Sequence, residues 1–100
     1  MSKTYYTYIL ASKRNGALYI GVTGNLANCV YEHKCNLISG ITSQYAIHLL
    51  VYFEYHQDPG AASLREFSIK EMHRIWKLDL IEQNNPEWRD LYSEIAGINC

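Results

Sequence analysis

Two short stretches, Tyr6-Thr7-Tyr8-Ile9-Leu10 and Leu18-Tyr19-Ile20-Gly21, decide how this 100-residue chain is read. Both are rich in aromatic and β-branched side chains, which fit a pleated, half-buried surface. Between them, Lys13-Arg14-Asn15-Gly16 contains the strongest short hairpin signal, because Asn-Gly supplies positive φ at both central positions of a type I′ turn. Tyr5 to Ala11 and Ala17 to Thr23 are therefore expected as the two strands of one hairpin. Side chains alternate along a strand, so Tyr6, Tyr8 and Leu10 share one face of the first. Tyr19, Gly21 and Thr23 fall together on the second.

Outward from the hairpin, Gly24-Asn25 opens a helix with Asn25 as its N-cap. Leu26, Val30, His33 and Leu37 keep helical spacing, and Cys29 and His33, four apart, share a face. Asn36 to Ser43 reads as a loop pivoting on Gly40. Leu49-Leu50-Val51-Tyr52-Phe53-Glu54-Tyr55 is a third strand, apolar enough to be expected at the centre of the sheet. Asp58-Pro59 combines an acidic N-cap with proline at the first helical position, and starts a helix through Ala62, Leu64, Arg65, Glu66, Ile69 and Met72. A further helical segment from Ile75 to Gln83 stops at Asn84-Asn85-Pro86. Glu87 to Tyr92 is expected to fold Trp88 and Tyr92 back on the body. With no repeat or linker, residues 1–100 read as a single compact α/β domain.

Composition narrows the class. Hydrophobic residues make up 48% of the chain and charged residues 19%, which fits a globular core and rules against disorder. No apolar run approaches the roughly 20 residues of a membrane helix, and the first residues lack a signal peptide's apolar stretch. A cytoplasmic protein is the simplest expectation. Three cysteines, Cys29, Cys35 and Cys100, without C-x-x-C spacing argue against a disulfide framework or a structural zinc site. The net charge is −1, so no global basic field draws the chain to nucleic acid. Residues 1–50 carry four basic side chains (Lys3, Lys13, Arg14 and Lys34) against Glu32 alone, whereas residues 51–100 carry five basic and nine acidic ones. A local positive face near the first hairpin and helix is compatible with that asymmetry.

The ordered series of motifs, from the two tyrosine stretches through Val51-Tyr52-Phe53-Glu54 and Arg65-Glu66 to Asn85-Pro86-Glu87-Trp88-Arg89-Asp90-Leu91-Tyr92, resembles the small single-domain GIY-YIG nucleases of bacteria across about residues 4–93. The resemblance implies an α+β fold, a three-stranded antiparallel sheet flanked by helices, and hydrolysis of a DNA phosphodiester with one Mg²⁺ ion. It assigns Tyr8 and Tyr19 to water activation and phosphate contact, and Glu66 to the metal. A single carboxylate plus waters suits Mg²⁺. It assigns His33 to proton or phosphate handling and matches Asn85, with Asn84 as its neighbour, to an asparagine near the site. Apart from the resemblance, Arg14 in the hairpin turn and Lys34 beside His33 are candidate phosphate contacts by position, without the spacing of the family's arginine. Taken without the resemblance, Tyr6, Tyr8 and Tyr19 are ordinary strand residues and Glu66 a solvated helix carboxylate.

The departures from the pattern matter as much. Cys29 occupies the position of the family's helix arginine, and a thiol neither clamps two phosphate oxygens nor carries charge as a guanidinium does. Asn28, Ser43, Gln44 and His48 stand where basic residues are common among relatives. Arg65, next to Glu66, is expected to point elsewhere on its helix. Cys29 and His33 amount to half of a soft-metal site with no second pair evident. Three functions therefore stay open: a Mg²⁺-dependent DNA endonuclease of impaired activity, a catalytically inactive scaffold that binds nucleic acid or a protein partner, and, more weakly, chemistry on another phosphoester with the same residues.

Overall fold

The computed structural model describes residues 4–34 and 46–96. The sequence readings for Asn36–Ser43, Gly40, Leu37 and Gln44 lie outside them. Among the described residues, three strands and four helices follow in the order β1 (Tyr5–Ala11), β2 (Leu18–Thr23), α1 (Leu26–Lys34), β3 (Leu49–His56), α2 (Pro59–Glu71), α3 (Arg74–Asn84) and α4 (Tyr92–Ala96). The sheet is antiparallel with strand order β2-β1-β3, so β1 is central. The expectation of a central β3 is corrected here. Its apolar character has another cause: the C-terminal segment covers its outer edge. Leu91 N–H donates to Leu50 C=O at 2.8 Å, Leu50 N–H donates to Asp90 Oδ1 at 3.2 Å, and Asn85 Nδ2 donates to Val51 C=O at 3.2 Å. An edge whose polar groups are satisfied in this way can be as apolar as a central strand.

The hairpin forms with Tyr8 opposite Gly21 and Leu10 opposite Tyr19. Its turn is not the expected two-residue type I′. Ser12 N–H donates to Ala17 C=O at 3.0 Å and Gly16 N–H to Lys13 C=O at 2.9 Å, which closes a longer loop. Asn15 takes a left-handed φ of 58°, while Arg14 does not. Gly16 is needed for space: a Cβ there would lie 2.4 Å from Ser12 Oγ.

Alternation sorts the core onto two faces. Ile9 and Ala11 of β1 pack with Ile20, Val51, Tyr52, Ile69 and Ile81 on the face covered by α2 and α3. Tyr8 and Leu10 pack with Leu26, Val30, Ile47 and Leu50 on the face covered by α1 and α4. In β3 the register shifts between Ile9 and Leu10, whose partners are Tyr52 and Leu50, so Val51 is the extra residue of a bulge. Val51 and Tyr52 consequently both join the α2/α3 face. Thr7, buried on that face, donates its hydroxyl to Ala62 C=O at 2.9 Å and ties α2 to the central strand.

The helix starts are as the sequence predicts. Asn25 Oδ1 accepts from Asn28 N–H at 3.2 Å, and Asp58 Oδ2 accepts from Ala61 N–H at 2.9 Å with Pro59 following. Trp88 and Tyr92 do pack back, but onto opposite faces of the sheet, as the C-terminal segment crosses the β3 edge. Trp88 adopts a φ of 56°, uncommon for a bulky side chain. Its buried ring and the 2.9 Å bond from Nε1–H to Glu82 Oε2 hold it there.

Candidate functional site

Tyr8, at the centre of the sheet, lays its ring across Gly21 on the neighbouring strand. A Cβ at Gly21 would come within 2.6 Å of the Tyr8 hydroxyl oxygen and 2.8 Å of its Cζ, so the absent side chain is the space the ring occupies. Tyr19 lies beside it, with ring centroids 6.3 Å apart. Helix α1 then brings one of its faces over the pair. The His33 ring sits 5.4 Å from that of Tyr19 and 6.4 Å from that of Tyr8. One helical turn earlier on the same face, the Cys29 thiol donates to the Tyr8 hydroxyl at 3.3 Å.

Glu66 belongs to α2, which packs on the opposite face, yet its charge acts on Tyr8. Lys70, one turn along, approaches Glu66 Oε2 at 3.0 Å. The structure thus brings together Tyr8, Tyr19, Cys29 and His33, while Glu66 stands apart from them on the helix of the opposite face.

The electrostatics follow from burial without compensation. Burial first, then the thiol of Cys29 and the charge of Glu66, push Tyr8 far above a tyrosine's ordinary range. Burial also lowers the pKa of His33, and His48 opposes its protonation further while Glu32 favours it. Both groups are therefore neutral at pH 7. A hard divalent ion keeps most of its waters and needs only one or two carboxylates. Glu66, with a partly exposed side chain, fits that requirement. Among the described residues no group of three or more His, Cys, Asp or Glu gathers to hold a metal more completely.

The remaining sequence candidates are placed elsewhere. Asn85 is 3% exposed, and its amide is spent on main chain: Nδ2 donates to Val51 C=O and to Arg89 C=O, and Oδ1 accepts from Arg89 N–H. These bonds make Asn85 the clamp of the C-terminal segment. Lys34 is paired with Asp90 and lies 5.3 Å over the ring of Tyr92. It points away from the tyrosines because consecutive helix residues diverge by about 100°. Arg14 is exposed in the hairpin turn, 4.0 Å from Glu82.

Arg65 is committed, as expected, to another partner. Its Nε reaches Glu54 Oε1 and Oε2 at 3.0 and 2.8 Å, and Tyr52 and His56 bond the same carboxylate. Burial raises the pKa of Glu54, but these donors outweigh it and hold the group below its usual range. Sequence reading missed two features near the tyrosines. The Lys70 contact was available from its i,i+4 spacing to Glu66. The action of His48 on His33 crosses 15 residues and had no local signal.

A three-stranded antiparallel sheet whose central hairpin presents paired tyrosines to a histidine-bearing helix, with a carboxylate supplied after the third strand, is a nuclease-type α+β scaffold. Residues 4–79 match the family model described as the GIY-YIG catalytic domain, and the chain belongs to the GIY-YIG family. It is 33% identical over 90 residues to a UPF0213 protein of Clostridium perfringens, covering 90% of this chain and 96% of that one. A UPF0213 protein of Desulfotalea psychrophila is 29% identical over 89 residues, covering 88% and 80% of the two chains. The solution NMR structure of a UPF0213 protein from Bacillus halodurans superposes with a TM-score of 0.55 at 20% identity, covering 90% of this chain and 95% of that one, which establishes the shared fold.

Proposed function

We propose that this chain is a Mg²⁺-dependent DNA endonuclease of reduced activity. The observation that carries the reading is the convergence of Tyr8, Tyr19 and His33 within ring-contact distances. Hydrolysis forms a bond from a water oxygen to phosphorus, breaks the ester P–O bond and leaves a proton for the departing oxygen. The Tyr8 and Tyr19 hydroxyls would position that water and a phosphate oxygen. The neutral His33 ring would accept the water's proton. Glu66 would hold the ion, which when bound supplies charge neutralisation at the phosphate.

The reduction in activity follows from Cys29. A neutral thiol beside Tyr8 provides no cation for the transition state, and loss of one such electrostatic group typically costs on the order of 10²–10³ in rate. Arg65 and Lys34 do not replace it, being paired with Glu54 and Asp90. The same contact favours a second reading, a non-cutting descendant that binds nucleic acid or a protein partner.

The deciding experiment is Mg²⁺- and Mn²⁺-dependent nicking of supercoiled and branched DNA, with Glu66→Ala alongside. Slow nicking by the native chain that Glu66→Ala abolishes supports the enzyme. Equal background from both proteins at enzyme excess removes it and leaves the binding module.

A further inference from the structure

Two helices carry candidate site residues, and they are held in different ways. α2 lies directly on all three strands, whereas the principal partner of α1 among the described elements is α4. Leu91, Tyr92 and Ile95 of the C-terminal segment pack on the same cluster as Leu26, Val30 and Tyr8. His33 and Cys29, the α1 side chains that reach the tyrosines, therefore depend for their place on the far end of the chain.

Asp90 is where that dependence is concentrated. Its Oδ2 takes the ammonium of Lys34, 56 residues away in sequence. Its Oδ1 accepts from Leu50 N–H at 3.2 Å and from Tyr92 N–H at 3.1 Å. One carboxylate thus joins α1, the edge of β3 and the start of α4. The Lys34 and Asp90 side chains are 24% and 31% exposed, so the pair is shielded from the water that makes open surface pairs weak. The Tyr92 ring, 5.3 Å from Lys34 Nζ, adds a second attraction for the same ammonium.

Lys34 follows His33 directly. Successive side chains diverge by about 100° around a helix, so fixing the direction of one fixes that of the next. With Lys34 drawn to Asp90, the His33 ring is turned to Tyr19 and Tyr8, 5.4 and 6.4 Å between centroids. Cys29 shares that face and bonds Tyr8. Burial of Leu26 and Val30 holds α1 down, but apolar contact is non-directional and tolerates rotation. A charge-assisted hydrogen bond does not. A helix of nine residues has little stability of its own, so such an anchor at one end governs the whole.

We propose that Asp90 is a positioning residue for the tyrosine–histidine site: through Lys34 it sets the rotation of α1, and with it the place of His33 and Cys29 over Tyr8 and Tyr19. Asp90 itself touches none of the groups assigned to the reaction. The inference rests on the proposed function for the reaction that this placement serves, while the placement itself can be read without any cleavage. It also gives a use to the Asp90-Leu91-Tyr92 stretch, which the proposed chemistry leaves without a part.

The test is NMR of the histidine ring protons in the full chain, with His33→Gln to assign the His33 signals among the four histidines. Ring currents of Tyr8 and Tyr19 set those signals apart from an exposed histidine's. Asp90→Asn keeps an oxygen for Leu50 and Tyr92 N–H but removes the charge that holds Lys34, and Lys34→Met keeps the stem without the ammonium. Each should move the His33 signals toward exposed-histidine values, and the double variant should move them no further. Lys34→Arg should leave them near native. Arg89→Ala, which breaks the neighbouring Arg89–Glu94 pair on the same segment, should not move them. Single-turnover nicking with Mg²⁺ should fall on the order of 10²-fold in Asp90→Asn, the scale of a misplacement of about 1 Å.

Unmoved His33 signals in folded Lys34→Met overturn the proposal, whether or not Asp90→Asn folds. So does an equal shift in Arg89→Ala, which would mean that any loosening of the segment disturbs the site. A shift in Asp90→Asn without one in Lys34→Met would place the action of Asp90 at the β3 edge and overturn the route through α1. Nicking separates this idea from the nuclease. Moved signals with an unchanged nicking rate overturn the positioning role alone, and moved signals from a chain that never nicks support the placement while overturning the nuclease.

Discussion

The Cys29 thiol donates a 3.3 Å hydrogen bond to the Tyr8 hydroxyl, putting a neutral donor where the family pattern places a guanidinium. Burial is the largest cause of the raised Tyr8 pKa, and among the described residues no cation beside the hydroxyl offsets it. Cys29→Arg should therefore bring Tyr8 down toward the ordinary tyrosine range. It should also raise the single-turnover nicking rate by on the order of 10²–10³. An unchanged rate in a variant that keeps its melting temperature would show that the missing charge does not limit the reaction.

Gly21 is the space beneath Tyr8. In Gly21→Ala the new Cβ would meet Tyr8 Oη at 2.6 Å and Tyr19 Cε1 at 3.1 Å, forcing a packed ring to move. Overpacking of this kind costs about 1–3 kcal/mol. For a domain of this size each kcal/mol lowers Tm by roughly 4–8 °C. Thermal melts followed by tyrosine near-UV circular dichroism check both the stability loss and the displaced ring. A variant with unchanged Tm and spectrum would mean that Tyr8 does not sit over Gly21.

His33 gives stability a defined acid limb. Its folded pKa lies below the unfolded value of about 6.5 because of burial, with His48 contributing. The unfolded chain thus binds the proton more readily. His33's contribution is fully present above pH 6.5 and is lost as pH falls through that value toward the folded pKa. Urea midpoints measured from pH 7.5 to 5 should decline, and His33→Gln should flatten the decline. Parallel slopes in the two proteins would assign the acid sensitivity to other groups.

Asn85→Ala separates a clamp from a ligand contact. The substitution removes three hydrogen bonds and leaves the Val51 and Arg89 carbonyls and the Arg89 N–H without this partner beneath a buried side chain. A cost of about 2–3 kcal/mol is expected, toward the upper end for unsatisfied buried polar groups. Chemical denaturation reads it directly. Weaker DNA affinity with full stability would restore Asn85 to the phosphate contacts.

The chain's own local signals were enough for its three strands and for α1 to α3, while the short α4 went unread. Alternating aromatic residues mark β1 and β2, while Asn25 and Asp58-Pro59 start α1 and α2 through hydrogen bonds that reach only three residues. The Cys29–His33 face was legible for the same reason, since helical spacing is a property of neighbouring residues. Strand order, the bulge at Val51, the closed β3 edge and the role of Asn85 were not. Each depends on partners 34 to 51 residues apart, joined by hydrogen bonds whose geometry no short pattern encodes.

The turn shows the limit from the other side, because Asn15-Gly16 announced a hairpin but not which residue would take the left-handed conformation. Sequence alone determined the family and the tyrosine pair. Only the tertiary structure decided that the thiol bonds Tyr8, that Arg65 and Lys34 are spent on Glu54 and Asp90, and that Arg74 is bonded to the carbonyls of the hairpin turn. Charge is counted along a chain, but whether it is neutralised depends on which side chains the fold brings within a few ångströms.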